Sequence, residues 1–246
     1  MNATKTLSQF VASSHYDEFD DSVVEAAKVA ILDGVANMLA GSTQLLASIV
    51  GRYVKDMGGS AQSSVVGWGF KTNAPSAAFA NGVFGHCLDF EIQGYPPTHG
   101  TSSCLPAALA LGEDQPTNGK ALIEAYVMGW EIQSRLRAAS AAFSNPAYHP
   151  PGLVGPLGGA VAGAKVLGLD AWHIQMALGI AASRTGGLTA NTGTMVKSTH
   201  TGNAARMGTE AAMLAAAGYT SSDSVLELSL IHISEPTRRY AISYAV

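Results

Sequence analysis

At 246 residues, with 47% hydrophobic and only 13% charged side chains, the chain is long enough to bury a sizeable core and too apolar to stay disordered. Its 14 Lys and Arg are scattered against 18 Asp and Glu, for a net charge of −4, so there is no basic stripe and no nucleic-acid partner is expected. Two cysteines, Cys87 and Cys104, make neither a disulfide framework nor a Cys-x-x-Cys pair, which points to a reducing compartment, the cytoplasm.

Taken in chain order, the first 22 residues hold one cation, Lys5, and four acids, the reverse of a targeting leader. Apolar runs are interrupted before the ~18 residues that a membrane span needs, so no membrane partner is expected. Ser22-Val-Val-Glu25 has capping-box spacing and opens a helix with Val23, Ala27, Ile31 and Val35 on one face. Gly41 is expected to close it in a left-handed conformation. A second helix is predicted over 45–57, with Ile49, Tyr53, Val54 and Met57 inward and Gly58-Gly59 as its stop. Residues 63–70 read as extended, one half of a short β-hairpin. Pro75 suits the first turn of a helix running to about Leu88.

Gly94, Pro96, Pro97 and Gly100 forbid regular structure across 89–101. Further helices are predicted at about 102–113, 119–142, 153–168, 171–183 and 202–217, with Asp170 as an N-cap and Gly218 as a stop. Loops at 144–152 and 184–201 separate them, and the second is long enough to imply a function. Glycine and alanine crowd 155–168 and 204–218, which would let helix backbones approach closely and offset the ~1 kcal/mol that each helical glycine costs. The fold class is therefore all-α, mostly α, with at most the hairpin as sheet. Residues 1–225 read as one helical domain. Residues 226–246 lose the Ala/Gly texture and any helical period across Glu235-Pro236, and read as a non-native, adapter-like tail.

No G-x-G-x-x-G, P-loop, H-E-x-x-H or G-x-S-x-G is present, so neither a cofactor nor a metal is expected. Polar groups gather instead in three loops. The first holds Asp89, Glu91, Gln93 and His99, with His86 on the preceding helix; the second holds Tyr148 and His149; the third holds Arg184, Lys197 and His200. Each has a plainer reading. His86, one turn before Asp89, fits a core as well as a site, and Glu91 reads more readily as a solvated loop acid. Asp89 fits a helix-end turn, and His99 and His149 fit exposed loops. His15 and His173 read as surface residues. Lys197 stands out as a lone cation among Thr, Ser, Asn and Gly, available to an anion, with His200 placed to help it or to cap the next helix.

Neutral histidine can exchange a proton near neutrality. A base facing a C–H next to a carboxylate, with cations stabilising the developing charge, serves elimination, hydration, epimerisation or decarboxylation. Two other classes fit the same residues. One is a metal-dependent hydrolase with His86, Asp89 and His99 as ligands; the other is a non-catalytic helical interaction module.

Three ordered blocks carry a resemblance: NGVFGHCLDFEIQGYPPTHGTSSCLPAALALGE (81–113), YHPPGLVGPLGGAVAGAKVLGLD (148–170) and TANTGTMVKSTHTGNAARMGTEAAMLAAAGYT (189–220). Over about residues 5–222 the chain resembles the MmgE/PrpD family, which includes 2-methylcitrate dehydratase, cis-aconitate decarboxylase and iminodisuccinate epimerase. The resemblance implies a metal-independent lyase, a hydratase/dehydratase or decarboxylase, acting on a small di- or tricarboxylate such as 2-methylcitrate or cis-aconitate. An epimerase of the same family is the alternative. It also implies a homodimer for the full-length parent, and a large helical domain whose loops face a smaller α/β lid.

Within the motifs, Asp89 and His99 match LDF…THG, His149 matches the histidine of HP(P/T)G, and Lys197 matches the lysine of GTM-x-K, with His200 in the same block. The roles implied are proton exchange by His99 or His149, orientation of a histidine by Asp89, and anchoring of a substrate carboxylate by Lys197 with His200. Two departures stand out. Where the family commonly reads D-F-D-D-T, this chain reads Asp89-Phe90-Glu91-Ile92-Gln93, so glutamine replaces threonine and an acid is lost. Family chains are also roughly twice as long, so the lid and the returning C-terminal helices are expected to be missing and the chain alone to be inactive or nearly so.

Overall fold

Small side chains set how this chain packs, and the computed structural model, which describes residues 2–140 and 147–227, shows where they meet. The described residues form nine α-helices and one antiparallel hairpin. In chain order these are α1 (Ala3–Ser13), α2 (Asp21–Gly41), α3 (Leu45–Met57), β1 (Ser63–Val65), β2 (Phe70–Thr72), α4 (Ala74–His86), α5 (Thr101–Asp114), α6 (Gly119–Ser140), α7 (Pro150–Val166), α8 (Ala171–Ala182) and α9 (Val196–Ala216). The mostly-α expectation holds. No helix among the described residues is long and apolar enough to cross a membrane.

At the centre, α9 packs against both α4 and α7, and α5 touches all three. This is possible because the facing residues are small. A methyl group at Gly208 would lie 2.5 Å from the Ala160 nitrogen, and one at Gly155 would lie 2.9 Å from the Ala204 Cβ. Nearly every residue from Pro151 to Ala164 is buried as a result. Larger side chains fill two clusters flanking this centre. One contains Leu111, Ile132, Leu157, Ile174 and Leu178. The other contains Met38, Val54, Val83, Phe84 and Leu105.

The hairpin pairs Ser63 with Thr72 and Val65 with Phe70. It is pinned to α4 by Asn81, whose side chain accepts from Val66 N and donates to Ser64 O, both at 2.9 Å. Lys165 ties α1 to α6 and α7: its ammonium pairs with Glu124 at 2.7 Å and donates to the carbonyls of Val11 and Ser14. Several expected signals operate as read. Gly58 and Gly59 stop α3 with φ of +66° and +118°. Pro75 sits in the first turn of α4, and Asp170 caps α8 by accepting from His173 N.

Other expectations are corrected. The Ser22–Glu25 capping box does not form: α2 begins at Asp21 without a side-chain cap, and Glu25 pairs with Lys28. The buried face of α2 is Val24, Ala27, Ala30, Gly34 and Met38; of the expected stripe Ala27 is buried, Ile31 and Val35 are half-buried against the core and Val23 is exposed, because Gly34 must sit against Thr101 and Leu105. Likewise α3 buries Ala47, Gly51 and Val54 while Ile49, Tyr53 and Met57 are exposed, since Gly51 meets the Trp68 ring. Gly41 is not a left-handed stop; it lies within α2, where a side chain would overlap the Phe84 carbonyl. Of the segment from 226 onward, Leu226 and Glu227 are docked on α1, with Leu226 N donating to Thr4 Oγ1 at 3.1 Å and Glu227 accepting from Thr4 N at 3.0 Å. The remainder, 228–246, lies outside the described residues, as does 141–146 at the start of the second loop.

Candidate active site

Three pieces of chain converge at one end of the α4–α7–α9 core. The first runs from His86, the last residue of α4, through an irregular stretch to His99 just before α5. Asp89 in this stretch has φ +59°, a left-handed conformation that aspartate tolerates better than most residues. The stretch is held from below by Gln133 of α6, buried, which donates to Thr98 Oγ1 at 2.9 Å and to the His99 carbonyl at 3.0 Å. Ser103 Oγ donates in turn to Gln133 Oε1 at 2.8 Å.

The second piece places His149 immediately before α7. Its backbone N–H donates to Gly187 O at 2.9 Å, and Gly186 N donates to Gly152 O at 3.0 Å, so the stretch before α7 is zipped to the stretch after α8. The third piece is the start of α9. The expected loop over 184–201 is shorter than read, because α9 begins at Val196, six residues early. Lys197 and His200 therefore stand on the first turns of a helix. Its polar face is buried with its needs met: Thr201 Oγ1 donates to the carbonyls of Gly82 and Ser198.

The structure brings Asp89, His99, His149, Lys197 and His200 together. Lys197 Nζ pairs with Asp89 Oδ2 at 2.8 Å, and Asp89 Oδ1 lies 3.6 Å from His99 Nε2. His149 Nδ1 and His200 Nδ1 are 3.1 Å apart, so one must donate and the other accept. The rings of His86 and His99 meet edge-on at 4.5 Å between centroids, and His149 lies 6.0 Å from His86 and 6.4 Å from His99.

Burial, then the neighbouring His86, His200, Lys197 and His99, push the His149 imidazole down to about 4, so it is a free base at neutral pH. Burial, His86 and Lys197 push His200 down too. Burial opposes charge on Asp89, but the hydrogen bond and charge of Lys197 outweigh it and hold its carboxyl below the usual range.

Glu91 corrects the sequence reading, and His86 takes the core position that was one of its two readings. Glu91 is no solvated acid: it is 4% exposed. Its carboxylate accepts from His86 Nδ1 at 2.7 Å, from Ser102 Oγ at 2.6 Å and from Ser102 N, at the start of α5, at 2.8 Å. Burial alone would push it up, yet the hydrogen bond from His86 and the nearby His99 bring it down to about 2. His86 is fully buried beside it. The retained acid in the D-F-x motif is the one sequence signal that could have found Glu91; nothing in the sequence marks Gln133.

Among the described residues, His86, Glu91 and His99 also form a group whose ligating atoms lie within 4.8 Å of one another, suited by type to a metal ion. Asp89, expected in that set, is instead committed to Lys197. Glu91 already accepts from three donors, and a metal bound through His86 Nδ1 would have to displace the His86 hydrogen bond.

Next to His200 opens a cavity of about 220 Å³ lined by Arg184, Thr185, Asn203 and Met207 among others. Arg184 and Arg206 share the single carboxylate of Glu210, which leaves net positive charge beside the cavity. A shallower groove of about 440 Å³ between α2 and α6 is lined mainly by apolar residues such as Val23, Tyr126 and Trp130 and offers no comparable chemistry.

Comparison with known proteins bears on the family. The MmgE/PrpD N-terminal domain matches residues 5–229. The chain is similar to the cis-aconitate decarboxylase of Homo sapiens, 38% identical over 85% of this chain and 45% of the relative. Against the cis-aconitate decarboxylase of Mus musculus it is 33% identical, over 92% of this chain and 48% of the relative. Against that of Aspergillus terreus it is 30% identical over the same shares. The chain thus spans about half the length of the curated relatives it matches.

Proposed function

The chain belongs to the MmgE/PrpD family, and from that premise we propose that its imidazole cluster is the helical-domain part of a lyase site for a small di- or tricarboxylate. The reaction class is proton exchange at the carbon α to a carboxylate. In the decarboxylating direction favoured by the relatives' names, the bond from that carbon to a carboxylate breaks and CO₂ leaves. The electron pair stays on carbon, and an imidazole N–H supplies the proton that replaces it. In the dehydrating or epimerising direction a neutral imidazole removes the α-proton instead.

The observation that carries this reading is the meeting of the three pieces of chain, with Lys197–Asp89 at 2.8 Å on one side of the imidazoles and His149–His200 at 3.1 Å on the other. A substrate carboxylate would compete with Asp89 for Lys197, and a second carboxylate would find the positive cavity beside His200. His149, uncharged at neutral pH, is available as base. His99 is the other candidate, its Nε2 3.6 Å from Asp89.

Thermal unfolding of this chain with cis-aconitate or citrate tests the reading. Ligand at a hundred times its Kd should add about 2.7 kcal/mol of stability. Acetate should add nothing, and Lys197→Ala should abolish the effect while leaving the protein folded. No shift with folded protein, or an equal shift in Lys197→Ala, would overturn it. In a chain of the relatives' full length, Lys197→Ala is expected to cost roughly 100-fold or more in kcat/KM. The 246 residues alone, which span about half the length of those relatives, are proposed to turn over substrate slowly at best.

A cytoplasmic setting is supported by the two unpaired cysteines, Cys104 buried and Cys87 half-buried. A homodimer is supported by apolar stripes left exposed on α2 and α3. The convergence of His86, Glu91 and His99 favours a metal-dependent hydrolase as the second reading. One equivalent of tightly held metal in purified protein, found by elemental analysis, would support that reading over the first.

A further inference from the structure

We infer that Glu91 is a tautomer clamp for two imidazoles: it receives the Nδ1–H of His86 and faces the Nδ1–H of His99, so that both rings present a bare Nε2. Three observations lead there. First, an ionised carboxylate only accepts hydrogen bonds, so the nitrogen 2.7 Å from Glu91 Oε1 must carry the proton, and that nitrogen is His86 Nδ1. The remaining contacts of the carboxylate, from Ser102 N and Ser102 Oγ, are donors as well. Second, His86 Nε2 is buried with no hydrogen-bond partner. A proton there would be a buried donor without an acceptor, while the same proton on Nδ1 is met by Glu91.

Third, His99 lies between Glu91 and Gln93, which favour the same tautomer against the pull of Asp89 at Nε2. Its Nδ1 is 3.4 Å from Glu91 Oε1, close though not aligned as a hydrogen bond. Its Nε2 is 3.3 Å from Gln93 Nε2, which can only donate. A proton on His99 Nε2 would therefore face a donor and turn the Nδ1 lone pair toward the carboxylate. The other charged groups at this ring are Asp89, 3.6 Å from Nε2, and Lys197, which is already paired with Asp89. The rings of His86 and His149 flank it.

On the proposed function, this turns the lone pair of His99 toward the Lys197–Asp89 side, where a substrate carboxylate would bind. Glu91 itself is too deeply buried to touch substrate and acts as a positioning residue. The purpose of the clamp rests on that functional reading, but the tautomers do not.

Long-range ¹H–¹⁵N correlation spectra of the ¹⁵N-labelled 246-residue chain at neutral pH report which ring nitrogens carry protons, with His86→Gln and His99→Gln assigning the signals. Both rings are expected to show a protonated Nδ1 and a bare Nε2. In Glu91→Gln, whose amide offers a donor as well as an acceptor, at least one ring should lose that form. Ser102→Ala, which leaves the carboxylate in place, should keep it in both. A protonated Nε2 on either ring of the native chain would overturn the inference. So would a folded Glu91→Gln with both tautomers unchanged. If Glu91→Gln does not fold, the native and Ser102→Ala spectra decide alone. Wrong tautomers with citrate binding intact would sink the clamp and leave the functional proposal standing; correct tautomers without carboxylate binding would do the reverse.

Discussion

His149 loses most of its capacity for charge when the chain folds, and that has a cost with a definite sign. Its imidazole falls from 6.5 to about 4, so between those values the unfolded chain binds a proton that the folded chain refuses. Stability should therefore rise with pH from about 4 to 6.5, with His200 adding in the same direction. Glu91 extends the acid lability lower. Its folded carboxylate, brought from 4.5 to about 2, contributes stability that is full above 4.5 and lost as pH falls toward 2. Urea denaturation across this range checks both, and His149→Gln should flatten the upper slope while leaving the lower one. A slope unchanged by that substitution would show that His149 is not the group responsible. The residue types of the site were readable because histidines and a lone lysine in loops are conspicuous in a chain with so little charge. Glu91 was not, because a loop carboxylate looks the same in sequence whether water or two imidazoles and a helix start surround it.

Helix existence and extent were mostly legible, since small and apolar residues at helical spacing run through the chain. The exceptions share a cause. Burial on α2 and α3 follows the glycines and alanines that admit a neighbouring backbone, so a hydrophobic period alone places the inward face off-centre on α2 and mostly on the wrong side on α3. At α9 the first two turns, VKSTHTG, carry no apolar period, and only the partners supplied by α4 and by the helix itself make burying those hydroxyls tolerable. Gly208→Ala should destabilise the protein by about 1–3 kcal/mol, because the methyl group would press on the α7 backbone around Ala160. Lys165→Ala should cost roughly 3 kcal/mol, as it strands the Glu124 carboxylate and frees the end of α1. Both are measured by chemical denaturation, and a loss under 0.5 kcal/mol in either would contradict the packing described.

For the whole molecule, the residues that face away from the core on α2 and α3 are not all polar. Val29, Leu32 and Leu39 form one stripe and Leu45, Ile49, Tyr53 and Met57 another, with Leu32 72% and Leu45 71% exposed. Exposed apolar stripes of this kind mark surfaces that associate. On the proposed homodimer, Leu32→Asp with Leu45→Asp should convert a dimer to a monomer in analytical ultracentrifugation without lowering helicity. A native chain already monomeric at high micromolar concentration would refute the dimer for these residues.

What the sequence determined by itself was the class of fold, the family likeness and the kinds of group available for chemistry, because composition, helical spacing and motif order are local properties of a chain. Tertiary structure alone decided which acid lies under the imidazoles, which face of each helix turns inward, and that Lys197 answers Asp89 across more than a hundred residues. Those outcomes depend on how closely two backbones can approach and on which donor meets which acceptor, and neither quantity is written in a single segment.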